Sequence, residues 1–265
     1  MELKASVITF LITFCCLLVL IQARRLNETK KNVKEYDEQE CQKILDESGS
    51  MVRPVVMVGV NKFVATLPEV NNHCEMGGKL YKGFNEYKKC LKGLARQALH
   101  ILNQGIRKFM RSLCNSTKKK EVALRDLNCA DKSTLRGWTQ CIETTNLQLD
   151  WVYRNSSQDD VLGNLCCVYS EALDCVRSQT NTKSGCDKKA NTTKFFTSSI
   201  DFVFKDVMDF VCGNYQGKDD CVKKNPEGLK KLRSINSSKQ PILNNAFLIE
   251  PLIKTVARLS SEDEE

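Results

Sequence analysis

Cysteine is the residue type with the most chemistry to offer in this chain. It occurs 14 times in 265 residues. Cys15 and Cys16 fall in an apolar N-terminal run, which leaves twelve: Cys41, Cys74, Cys90, Cys114, Cys129, Cys141, Cys166, Cys167, Cys175, Cys186, Cys212 and Cys221. None belongs to a Cys-x-x-Cys pair. The ligand spacing of structural zinc and the motif of dithiol exchange are therefore both missing. An even number of cysteines in an exported chain reads instead as disulfides, with a connectivity that spacing does not give.

Acid–base and nucleophilic chemistry have little to work with. The only histidines are His73, beside Cys74 in an expected loop, and His100, near the apolar stripe of an expected helix. There is no His-Glu-x-x-His, Gly-x-Ser-x-Gly, phosphate-cradling glycine loop or dinucleotide fingerprint. The run Cys166-Cys167-Val168-Tyr169-Ser170-Glu171 is superficially similar to the Cys-Cys-x-x-His-Asp of secreted phospholipases. Ser170 stands where that family needs a histidine, and no nearby base would make it a proton acceptor. No catalytic, cofactor-binding or metal-binding residue is expected, and the chain is read as a protein without enzymatic activity.

The surrounding elements set the compartment. Lys4 precedes an apolar run over residues 7–21, broken only by Thr9 and Thr13, and Ile21-Gln22-Ala23 offers a cleavage site before Arg24. This is the pattern of a secretory signal over residues 1–23, shorter than the roughly 20 apolar residues a span requires. No later stretch is apolar enough to span, and the acidic end is not the tail of a lipid anchor. Five Asn-x-Ser/Thr sites, at Asn27, Asn115, Asn155, Asn191 and Asn236, predict surface glycosylation. The reading is a secreted, extracellular glycoprotein with no stable membrane anchor.

Periodicity predicts helices. Residues 24–40 form a charged arm, becoming helical near Tyr36. Residues 51–67 are apolar and interrupted by Pro54 and Gly59, consistent with a short buried helix. A long helix is expected over 79–114, with Gly105 as a possible break. Residues 115–120 read as a polar loop. Residues 157–176 and 198–212 carry apolar stripes, each preceded by a Ser-x-x-Asp capping box. Loops are expected at 179–184 and 191–193. Beyond Cys221, residues 222–265 read as an appendage: a turn at 225–228, a basic stretch, and an amphipathic helix over 242–259 kinked at Pro251, then an acidic tail. The compact cysteine-rich domain is placed at 41–221.

Residues 161–221 contain one pattern twice, 46 residues apart. Val161-Leu162-x-x-Leu165-Cys166-x-x-Tyr169 ends in Asp174-Cys175, and Val207-Met208-x-x-Val211-Cys212-x-x-Tyr215 ends in Asp220-Cys221. The cysteines sort into three sets of similar spacing, 74/90/114, 129/141/166 and 175/186/212. Duplicated helix–loop units would give this rhythm, and so would antiparallel helices of similar length stapled at similar places. Cys90 and Cys114 should not pair through an unbroken helix, since 24 residues rise about 36 Å and bridged Cα atoms lie within about 7 Å. Adjacent Cys166 and Cys167 point different ways on a helix and should staple different neighbours.

The signal, the helical cysteine frame, the Cys-Cys step and the Tyr-x-x-x-x-Asp-Cys ends resemble cysteine-rich secreted proteins of invertebrates. These include insect haemolymph glycoproteins and nematode and arthropod extracellular domains of unknown function. The resemblance spans residues 74–221 and implies an all-helical extracellular domain without established catalysis. Insect odorant carriers are also helical and disulfide-bonded, but their Cys-x-x-x-Cys step is missing here.

The expected fold is all-α, a disulfide-stapled helical bundle. The expected function is that of an extracellular binding or structural protein. A carrier of a small hydrophobic ligand is the alternative, because 51–67 and the Phe-rich helix near 200 could line a cavity; a secreted hydrolase is the weaker one. The formal charge of +8 and the Lys pairs at 88–89, 118–120, 188–189, 223–224 and 230–231 fit either a solvated surface or attraction to sulfated glycans. Export and the lack of a reader motif argue against nucleic acid.

Overall fold

Short polar side chains start most of the helices. The structure, a computed structural model, describes residues 36–56, 66–179, 191–213, 215, 217–235 and 248–259, without the side chains of 53–56. Among these the regular structure is helical, with no strand. In chain order the helices are α1 (Glu38–Val56), α2 (Leu67–Tyr87), α3 (Gly93–Cys114), α4 (Thr117–Asn128), α5 (Lys132–Asn155) and α6 (Gln158–Gln179). They continue with α7 (Thr192–Ile200), a π-helical turn (Asp201–Lys205), α8 (Asp206–Val211), α9 (Lys218–Lys224), α10 (Pro226–Ser234) and α11 (Ile249–Leu259). Thr66 and Glu69 exchange backbone and side-chain hydrogen bonds at the start of α2. Ser116, Asp131, Asn191 and Asn225 each accept from the backbone amide three residues on. Each bond satisfies an amide that the helix itself leaves without a partner. Two such amide bonds, from Thr134 and Ser133, together with the Ser133 hydroxyl, hold the Asp131 carboxyl below its usual range.

Several boundaries differ from expectation for identifiable reasons. The long helix over 79–114 is two helices, α2 and α3, separated by a 3-10 turn at Lys88–Cys90. The turn carries Cys90, whose bridge to Cys41 ties it to α1. Residues 115–120 are largely the first turn of α4, capped by Ser116. Residues 191–193 are likewise the cap and first turn of α7. Asn191 wins over Ser198 as the helix start because Asp126 anchors it: the Asn191 amide donates to Asp126 Oδ1 at 3.1 Å, and the Thr192 hydroxyl donates to the Asp126 carbonyl at 3.0 Å. The expected box at Ser157 and Asp160 is present at the start of α6. Of the apolar segment 51–67, residues 51–56 end α1, and 57–65 lie outside the described residues.

Gly105 does not break α3. It lies in the middle of that helix, where the π-helical turn passes over it. A methyl group built there would sit 2.4 Å from the Val203 carbonyl oxygen and 2.7 Å from that of Phe202. Glycine is required because backbone, which cannot swing aside, occupies the space. Gly105→Ala is therefore expected to destabilise the protein by about 1–3 kcal/mol, although alanine is the better helix former by about 1 kcal/mol. Thermal melting of the variant checks this; an unchanged or raised melting temperature would refute the close approach.

The last helix corrects the expected domain plan. Helix α11 belongs to the same compact unit as the helices before it, and it packs on α1, α3, α5 and α6. Leu252, Ile253 and Val256 on it are buried. Within the expected appendage 222–265, the described helices α10 and α11 thus pack on the rest of the bundle. Pro251 sits in the first turn, where a missing amide proton removes no helical bond, so it produces no kink. Near the other end, the Arg258 guanidinium donates to the carbonyls of Tyr153 at 2.6 Å and Ser156 at 2.9 Å. This closes the C-terminus of α5 with a cation, the sign its dipole favours.

Candidate binding site

Ten of the twelve expected cysteines form five bridges with Cα–Cα distances of 5.6–5.9 Å. Cys41 joins Cys90, Cys74 joins Cys114, Cys141 joins Cys175, Cys166 joins Cys212 and Cys167 joins Cys221. Cys129 is disulfide-bonded as well; its partner, like Cys186, lies outside the described residues. The adjacent Cys166 and Cys167 reach different elements, the end of α8 and α9. Of these five bridges only Cys74–Cys114 lies within one of the three sequence sets. Cys166 and Cys212, equivalent positions of the doubled pattern, bond to each other, while Cys175 and Cys221, also equivalent, bond back to α5 and α6. Two of these five bridges fasten α1–α3 and three fasten α5–α9. None of these five crosses between the two groups.

Three of the sequons are in described residues. Asn115, Asn155 and Asn191 are all exposed. Asn191 caps α7 through its amide oxygen, 2.8 Å from the Lys194 amide, so a sugar on its nitrogen would leave the cap intact. Asn27 and Asn236 lie outside the described residues. Of the lysine pairs, 188–189 also lies outside. Lys89 pairs with Glu86 at 2.6 Å and Lys224 with Asp220 at 3.5 Å. Lys120 donates to Asn71 at 2.6 Å.

The histidines are far apart in role. His73 is in α2, not in a loop, and faces an internal cavity. His100 is exposed on α3, its Nδ1 3.3 Å from the Lys88 ammonium. In the phospholipase-like run, Ser170 is buried, and Glu171 is held by Arg233 through two hydrogen bonds of 3.0 and 2.8 Å. The run therefore contributes packing and an ion pair on α6.

What the helices do assemble is an apolar cavity of about 130 Å³. It opens where the two bridged groups meet. Val52 of α1, Phe84 of α2 and Ile106 of α3 form one side. Trp138 of α5, Phe196 of α7 and Ile249 of α11 form the other. Trp138 and Phe196 are tilted against each other with ring centroids 4.7 Å apart. Two backbone irregularities border the space. One is the π-helical turn, through Val203 and Phe204. The other is Leu248, a buried non-glycine residue with φ of 60°. Its amide donates to Asn146 Oδ1 at 2.7 Å, which holds a conformation that a leucine adopts only under constraint.

Two further spaces share walls with the cavity. On its inner side Ile142, Ile200, Phe204 and Leu248 separate it from a second apolar void of about 50 Å³. Tyr169 borders that void, and burial pushes its phenol well above the usual tyrosine value, helped by the Asp201 and Asp209 charges. On the outer side Phe109, Leu113, Phe195 and Ser199 are shared with a groove of about 740 Å³ between α3, α4 and α7. Phe202 and Val122, 42 % and 41 % exposed, lie in this groove. A separate polar cleft of about 280 Å³ lies between α5 and α6, bordered by Thr144, Gln148, Glu171 and Arg233. The Gln148 side chain there is committed to the Leu232 carbonyl at 3.0 Å.

Fold and site together define a disulfide-stapled, all-α bundle built around an apolar cavity. Comparison with protein-family models, with curated proteins and with solved structures gave no match. Of the two segments expected to line a cavity, 51–67 contributes Val52 and the helix expected over 198–212 contributes Ile200, Val203 and Phe204, while Phe195 and Phe196 lie before that helix's expected start. Sequence analysis did not find the contributions of α2, α3, α5 and α11. Those residues are spread over the chain and bear the same apolar pattern as any core face.

Proposed function

We propose that this protein is a secreted, glycosylated binding protein that carries a small apolar molecule without transforming it. The observation that supports the reading best is the 130 Å³ cavity, whose exposed lining is almost wholly apolar. Cores are packed to crystal density, and a void this size is uncommon unless something fills it. A dry, engineered cavity of about 150 Å³ takes up benzene, so this one has room for a ring or about six carbons. The bridges support an oxidising compartment, since disulfides persist outside the cytosol. Among the described residues no helix is long and apolar enough to cross a membrane.

The apolar character of the cavity's exposed lining supports uptake of a hydrophobic molecule over turnover of a polar one. Native mass spectrometry of protein purified from a secreting cell tests the proposal. The expected result is an adduct of fixed mass that is released by organic extraction. Protein that is empty on isolation and takes up no apolar compound would overturn it.

A further inference from the structure

Resting on the carrier reading, we infer that the ligand is an anionic single-chain amphiphile, its carboxylate or equivalent head held in the outer groove and its tail in the cavity. The three spaces adjoin in order through shared wall residues: a wide groove, then the 130 Å³ cavity, then the 50 Å³ void. An arrangement of this kind suits an extended chain better than a compact ring system. The inner two spaces are mainly apolar, with His73, Ser199, Thr145 and Tyr169 the polar side chains on their walls and no cationic Lys or Arg among them, and a charge buried without a partner is strongly unfavourable.

The groove has the charge to receive that head. Lys118, Lys119, Arg125 and Lys194 border it, against a single carboxylate among the described residues, Asp126. Asp126 is already engaged, by Arg125 at 3.4 Å and by the Asn191 amide at 3.1 Å. The Arg125 side chain is one third exposed beside its Asp126 partner. A partly exposed guanidinium next to lysines is suited to a carboxylate or phosphate. The groove floor, with Phe202 and Val122 partly exposed, accommodates the methylenes between head and cavity.

The test uses three ten-carbon probes that differ only in the head: decanoate, decanol and decylamine. Each is titrated into the delipidated full-length glycoprotein. Binding is followed by calorimetry and by Trp138 fluorescence in a Trp151→Phe background, since Trp138 lines the cavity. Decanoate is expected to bind at least about tenfold more tightly than decanol, and decylamine most weakly. Lys119→Gln with Lys194→Gln, both exposed, should remove most of the decanoate preference over decanol. Added salt should act in the same direction. Equal affinity for decanoate and decanol, or a preference for decylamine, would overturn the anionic head while leaving the carrier reading standing. Failure of all three to bind would overturn both.

Discussion

Full reduction of the protein is expected to abolish its cooperative helical fold at 37 °C. The five bridges span separations from 34 to 54 residues. Restraint of the unfolded chain over loops of that length is worth about 4 kcal/mol each in the chain-entropy model, and 2–4 kcal/mol is typical of measured values. Total stabilities run only to about 5–15 kcal/mol. Loss of all the bridges therefore exceeds what the core can offset. Far-ultraviolet circular dichroism with and without dithiothreitol checks this. A sharp thermal transition of the reduced form, close to that of the oxidised one, would contradict it. Single bridges are separable. Removing Cys167–Cys221 by a double alanine replacement leaves the Cys166–Cys212 bridge on the same helix, so the chain should still fold. Its melting temperature should fall by about 5–15 °C, from 2–4 kcal/mol at about 2–4 °C per kcal/mol for a chain of this size.

Replacing Phe196 by alanine should be the most damaging single change in the core. Phe196 is 1 % exposed and packs against both Trp138 and Phe195, with centroids at 4.7 and 5.6 Å. A buried Phe→Ala change removes transfer energy and leaves a hole, together about 3–5 kcal/mol. Here the hole opens onto an existing cavity, so the neighbours have less to collapse against. Urea unfolding should show a lower midpoint with an unchanged slope, the signature of lost stability in an intact two-state fold. Phe202→Ala is the matched control. Phe202 is 42 % exposed, and its loss should change stability by no more than about 0.5 kcal/mol. Equal effects of the two replacements would mean that Phe196 is not the packing centre assigned to it.

The contrast between those two phenylalanines shows what was legible in the sequence. The helical stripe Ile200, Val203, Phe204, Val207 and Val211 gave the face of the segment correctly in outline. It could not show that the helix widens into a π-turn at Asp201–Lys205, which re-aims Phe202. That turn is coupled to Gly105, almost 100 residues away in the chain, and a local window does not contain both. Capping residues gave the start of α6 to within a residue, because Ser157 and Asp160 need only each other. The break at 88–92 was hidden, since Lys88-Lys89-Cys90 carries no glycine or proline and the turn is held by a bridge to Cys41. The change of composition after Cys221 suggested an appendage. It marked only the end of the cysteines, and the apolar face of α11 found its partners in helices formed much earlier in the chain.

Helix α11 follows every one of the bridged cysteines in the order of synthesis. Domains fold as the chain emerges, N-terminal parts first, so oxidation of both stapled groups can be complete before Leu248 and Ile249 reach their places. Until then the inner wall of the cavity, made also by Ile142, Ile200 and Phe204, is incomplete. A greasy guest present in the secretory pathway has two sides to enter from during that interval and, once the final helix docks, only the side toward the outer groove.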